Sequence, residues 1–120
     1  MKKNIVVCEK DNNCLELFGE FFNQHGFNAI TISSLNQLLH FIENNPTDVI
    51  ISDADLFINE SKKYINTLMG KINHIPVLYL SEKNTTRILK DEMKINHHRV
   101  IEKPVTFVSL LESVYKELNN

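Results

Sequence analysis

The sequence predicts an α/β fold, a doubly wound five-stranded parallel sheet in three layers, and three observations carry that expectation. Five short, β-branched apolar runs recur along the chain: Ile5 to Cys8, Ala29 to Ile32, Val49 to Ile51, Val77 to Leu80, and Val100 with Ile101. Segments with apolar residues at helical spacing lie between them. The runs are almost continuously apolar rather than alternating, so both faces of each strand must be covered, which a parallel sheet with right-handed helical crossovers provides.

The first strand leads into a helix whose Leu15, Phe18 and Phe22 share a face, and Gly26 ends that helix. Ala29 to Ile32 form the second strand. Ser33 or Ser34 caps the second helix, where Leu35, Leu38, Leu39 and Ile42 make the apolar stripe and Pro46 follows. After the third strand, a helix over Ser61 to Ile72 turns Ile65, Leu68, Met69 and Ile72 inward. The fourth helix carries the weakest signal: between Asn84 and Asn96 only Ile88, Leu89, Met93 and Ile95 are apolar, so a short or loosely packed element is expected. Thr106 caps the last helix, whose Phe107, Leu110, Leu111, Val114 and Leu118 form one stripe.

With 120 residues the chain can bury one core and is too short for two, so one domain over residues 1–120 is expected. Its 42% hydrophobic and 23% charged residues exclude a linker or disordered tail. A net charge of -2 offers no electrostatic footprint for nucleic acid or an anionic membrane, so proteins are the expected partners. The apolar run after Met1-Lys2-Lys3-Asn4 is too short for a signal peptide or membrane span, which points to the cytoplasm. Cys8 and Cys14 lack zinc spacing and are expected as free thiols. His25, His40 and His74 are widely spaced, and His97-His98 precedes the fifth strand, so surface and loop roles are expected rather than metal binding. Phe18, Phe21, Phe22 and Phe107 have core spacing, and no Gly-rich phosphate loop is present.

In such a sheet, ligands sit beyond the carboxyl ends of the strands, near the point where the winding reverses. Those ends read Glu9-Lys10-Asp11, Ser52-Asp53-Ala54-Asp55, Leu80-Ser81 and Glu102-Lys103-Pro104. An acid, a hydroxyl and a lysine thus converge on one edge. A carboxylate attacks a phosphoryl group in line when its oxygen is positioned and the charge is offset, which makes Asp53 a candidate nucleophile. Lys103 supplies a point charge for one phosphoryl oxygen and the Ser81 hydroxyl a hydrogen bond to another. Pro104 stiffens the chain after that lysine.

Over essentially the whole chain this layout resembles the response-regulator receiver family of two-component signalling. That family has an acidic pair after strand one, a phosphoacceptor aspartate after strand three, Ser or Thr after strand four, and Lys-Pro after strand five. The resemblance implies a flavodoxin-like (βα)5 unit with strand order 2-1-3-4-5, Asp53 as phosphoacceptor, and Ser81 and Lys103 as its phosphoryl contacts. It implies a magnesium site from Glu9, Asp53, the backbone carbonyl of Asp55 and, weakly, Asp11. It further implies a sensor histidine kinase or phosphotransfer protein as donor, a downstream output domain or protein, and no direct nucleic acid or membrane contact. No enzyme activity is implied beyond self-phosphorylation and autodephosphorylation of the aspartate. Output and homodimerisation in the family commonly use the face of the fourth helix, fifth strand and last helix. Here that face carries Lys90, Asp91, Lys94, Glu102, Glu112 and Lys116, a mixed pattern that names no partner.

Several positions depart from that pattern. Lys10 stands where the second acid is usual, and replacing a magnesium ligand by an ammonium removes a donor and adds repulsion. Unit charges about 4 Å apart near a surface interact by roughly 4 kcal/mol, so Mg2+ binding is expected to be weakened or absent. Two placements are open: Lys10 beside Asp53 in the metal's stead, favoured for its charge pairing, or Lys10 turned outward with Glu9 and Asp11 holding a weakened site. Asp53 is accordingly expected to be phosphorylated weakly, with a phosphorylation-independent interaction module as the alternative. Phe57 replaces a proline, Val100 replaces an aromatic residue whose ring rotation the chain therefore lacks, and Glu82 replaces a small residue after Ser81. Asp53-Ala54-Asp55-Leu56 also resembles the nucleophile motif of haloacid-dehalogenase-like phosphohydrolases. That family needs another acidic metal site after its lysine, and beyond Lys103 only Glu112 and Glu117 remain, both on an amphipathic helix.

Overall fold

The computed structural model describes residues 1–96 and 99–119, so the expectation for His97 and His98 lies outside the described residues. In chain order the elements are β1 (Asn4–Cys8), α1 (Asn12–Gln24), β2 (Asn28–Ile32), α2 (Leu35–Asn44), β3 (Val49–Asp53), α3 (Ala54–Ile58) and α4 (Lys62–Ile72). They continue with β4 (Val77–Ser81), α5 (Lys83–Arg87), a π-helical segment (Ile88–Glu92), β5 (Val100–Glu102) and α6 (Phe107–Leu118). The five strands pair in parallel in the order β2-β1-β3-β4-β5. The chain therefore winds one way from β1 to β2 and the other way from β3 onward, which opens the crevice beyond the ends of β1 and β3.

Successive strand residues point to opposite faces, and each face has its own core. Ile5, Val7, Ile51, Leu78 and Leu80 pack with Phe22 of α1 and Leu110 and Val114 of α6. Val6, Cys8, Ile50 and Tyr79 pack on the other side with Leu38 of α2, Leu68 and Ile72 of α4, and Leu89. Burying one such aliphatic side chain is worth about 1.5–3 kcal/mol, so the two layers together hold the sheet rigid under its rim.

The helix ends follow the local chemistry. Ser34 rather than Ser33 caps α2, with its Oγ accepting from the Gln37 N–H, and Ser61 and Thr106 cap α4 and α6 in the same way. Gly26 leaves α1 at φ 86, a left-handed conformation open to glycine, while the Phe27 N–H donates to the Phe22 carbonyl. The weak fourth helix resolves into one turn, α5, followed by the π-helical segment, with Leu89 as its buried anchor. The short helix α3 has no counterpart in the sequence expectation. It forms because Asp53 caps it and because Leu56 and Phe57 must be buried, Phe57 against the Tyr79 ring at 5.1 Å. Among the described residues no helix is long and apolar enough to cross a membrane, and Cys8 and Cys14 are free.

Candidate functional site

Strand register brings the rim together. Cys8 pairs with Ser52, which sets Glu9 beside Asp53 one step further along, and Asp53 itself pairs with Leu80. Ser81 pairs with Glu102, and the Lys103 N–H donates to the Ser81 carbonyl at 2.9 Å. The side chain of Lys103 then reaches back across β4, placing Nζ 3.6 Å from Asp53 Oδ1. The Asp53 side chain is only 14% exposed, so this pair is shielded more than a surface ion pair. The same oxygen accepts the Asp55 N–H at 3.2 Å, which aims the carboxylate over the first turn of α3. The Lys103-Pro104 peptide bond is cis.

Three acids surround this pair differently. Glu9 is half-buried and its carboxyl is held above the usual range, chiefly by burial and also by the charge and hydrogen bonding of Asp53, against the opposing Asp11 N–H and Lys103 charge. Asp11 turns its Oδ1 to the Asn13 and Cys14 N–H groups at 2.9 and 3.2 Å, so its side chain serves as the N-cap of α1. Glu82 brings Oε1 to 3.9 Å from Lys103 Nζ, so the lysine is shared between Asp53 and a second, exposed carboxylate.

The favoured position for Lys10 is corrected by these contacts. Lys10 is exposed and makes no ion pair among the described residues, and the ammonium beside Asp53 belongs to Lys103. A flexible lysine on an exposed turn keeps its hydration, and the place next to Asp53 is already taken by a lysine entering from β5. Ser81 shares the rim but its hydroxyl, buried at 1% exposure, is hydrogen-bonded to Thr86 Oγ1. The Asp55 carboxylate accepts from Thr85 Oγ1 at 3.3 Å, and its backbone carbonyl accepts the Asn59 N–H at 3.3 Å. Thr85 and Thr86, both buried, join the rim without a motif that announces them; two adjacent threonines in a helix without an apolar stripe are the one available signal.

Magnesium takes one or two carboxylates from a protein and fills the rest of its octahedron with waters and phosphate oxygens. The facing carboxylates of Glu9 and Asp53 meet that minimum, although no group of three His, Cys, Asp or Glu side chains suited to a metal occurs among the described residues. A cation binding there competes with protons for Glu9, which holds a proton more tightly than an ordinary glutamate does. Mg2+ affinity, followed by amide shifts, should therefore rise with pH through the raised Glu9 value, and Glu9→Gln should abolish that rise.

The same shift has a stability consequence. A carboxyl whose folded pKa is raised contributes stability that is fully present below its unfolded pKa and lost as pH rises through the folded value. Glu9→Gln should thus raise the melting temperature at neutral pH, with the gain disappearing in acid below the ordinary glutamate range. Thermal melts at the two pH values check it.

Phe57 and Val100 also find their places. Phe57 packs edge-on against Tyr79, and Val100 pairs in register with that same Tyr79. Tyr79 of β4 thus lies beside Val100 of β5; burial pushes its phenol far above its usual range, and its O–H donates to Met69 Sδ at 3.8 Å. On the outer face, Asp91, Lys94, Glu102, Glu112 and Lys116 are exposed and Lys90 is half-buried, with Asp91 paired to Arg87 at 3.7 Å.

A family model described as the response regulator receiver domain matches residues 5–115. No curated protein matches the sequence. A response regulator receiver domain protein from Clostridium thermocellum superposes with a TM-score of 0.81 at 24% identity, over 98% of this chain and 94% of that one. A sensor protein from Polaromonas sp. JS666 gives 0.81 at 19% identity, covering 100% and 98% of the two chains. A response regulator from Thermotoga maritima gives 0.77 at 18% identity over the full length of both. At these identities the likeness speaks for the fold.

Proposed function

Since the chain belongs to the response regulator receiver domain family, we propose that it receives its signal as a phosphoryl group on Asp53, slowly, and passes it on through protein contacts. The observation that carries this reading is the shielded carboxylate of Asp53 held 3.6 Å from the Lys103 ammonium at the reversal of the sheet. An Asp53 carboxylate oxygen attacks phosphorus in line and forms an acyl phosphate, while the bond from phosphorus to the donor breaks and its electron pair leaves with the donor group. Lys103 offsets charge on one equatorial oxygen, and Ser81 is assigned the hydrogen bond to another. Magnesium, held by Glu9 and Asp53 when bound, would neutralise phosphoryl charge further. Receiver domains generally meet histidine kinases and output domains, and for this chain a histidine kinase or phosphotransfer protein is the proposed donor.

Three features support slow modification: Lys10 supplies no carboxylate to a cation, Glu82 competes for Lys103, and the Ser81 hydroxyl is already bonded. Incubation with acetyl phosphate and magnesium, followed on a Phos-tag gel, should give slow and incomplete conversion to one shifted band. Rapid stoichiometric conversion would contradict the weakened site. No conversion would leave the phosphorylation-independent module instead.

A further inference from the structure

The hydroxyl of Ser81 has a single proton, and its whereabouts can be deduced. Thr86 Oγ1 lies within hydrogen-bonding distance of Ser81 Oγ and also donates to the Glu82 carbonyl at 3.2 Å. A carbonyl only accepts, so when Thr86 gives its one proton to Glu82, the bond between the two hydroxyls takes the Ser81 proton. Both side chains are buried, at 1% and 6% exposure, so water does not readily replace either partner. The Ser81 donor is thereby withheld from any anion at the neighbouring Asp53.

We propose that Thr86 is a positioning residue which holds the Ser81 hydroxyl in reserve, so that an anion captured at Asp53 must draw the Ser81 proton away from Thr86 Oγ1. The proposal rests on the reading of Asp53 as phosphoacceptor and adds the step that limits it. Thr86 belongs to α5, whose neighbouring Thr85 is bonded to Asp55, so the exchange takes place where α5 is tied to the first turn of α3. With Val100 in place of an aromatic ring, this hydroxyl pair gives the rim a link to α5 that needs no ring rotation.

The test uses the full chain and beryllofluoride with magnesium as the phosphoryl probe, titrated by amide chemical shifts. Thr86→Val keeps the shape and removes the acceptor, so Ser81 loses its competing partner and probe affinity should rise about two- to tenfold, the span expected for one hydrogen bond. Thr86→Ser restores the acceptor and should return the affinity to within about twofold of the parent. In the Ser81→Ala background Thr86→Val should have no effect on affinity. An unchanged or weaker affinity in Thr86→Val, or an equal gain with Ser81→Ala, would overturn the proposal.

A second measurement separates this idea from the reading beneath it. Without probe, Ser81→Ala and Thr86→Val should be non-additive in chemical unfolding, as directly bonded residues are. Additive effects would overturn the hydroxyl pairing while leaving Asp53 as acceptor. Failure of every variant to bind the probe would overturn the acceptor reading and the proposal with it.

Discussion

Asp53→Asn is expected to reduce acetyl phosphate labelling to background, while Asp55→Asn retains it. An amide cannot supply the anionic oxygen that attacks phosphorus, and among the described residues no other carboxylate in the rim is paired with Lys103 as closely as Asp53 is. Glu9 has its carboxyl driven toward the protonated form, Asp11 caps α1, and Glu82 is exposed and stands 3.9 Å from the lysine. Asp55 spends its carboxylate on Thr85, so a receiver tolerates its loss, whereas a haloacid-dehalogenase-like hydrolase would use it in turnover. Labelling on Phos-tag gels, with p-nitrophenyl phosphate hydrolysis as a parallel assay, distinguishes the two. The Asn variant should also remain folded, because it removes the repulsion with Glu9 together with the attraction to Lys103.

Phe57→Ala is expected to cost about 3–5 kcal/mol of unfolding free energy, a large part of the roughly 5–15 kcal/mol available to such a protein. The side chain is 1% exposed and its ring meets Tyr79 at 74°, so truncation leaves a cavity between α3 and β4 and removes an edge-to-face aromatic contact. Phe57→Leu keeps most of the volume and should cost roughly 1–2 kcal/mol. Denaturant unfolding measures both. Because Asp53 is the N-cap of α3, the alanine variant should also blunt the capping bond that orients the acceptor carboxylate.

Much of the architecture was legible in the residues. Short apolar strands flanked by helices of period 3.6 leave few ways to cover a sheet on both sides, and Ser34, Ser61, Thr106 and Gly26 mark helix ends by chemistry that acts locally. The meeting of Asp53 and Lys103 was legible for a related reason, since parallel strands carry their C-terminal residues to one rim. What stayed hidden depends on side-chain direction. Lys10 and Lys103 both read as ammonium groups able to reach Asp53, and among the described residues Lys103, entering from the end of β5, is the one that does so. Asp11 reads as a weak ligand candidate, and its capping role is not announced in the sequence: the first turn of α1 presents two unsatisfied N–H groups to its Oδ1. The bond between Ser81 and Thr86 joins a strand end to a helix that had almost no sequence signal, so neither residue could announce the other.

Whether Asp53 is the phosphoacceptor is read by trapping the product where it forms. Borohydride reduces an acyl phosphate on aspartate to homoserine, and peptide mass mapping after acetyl phosphate treatment then reads the modified position. Homoserine is expected at Asp53 alone. Homoserine at Asp55, or a reduced acid at Glu9 or Glu82 with Asp53 intact, would contradict it.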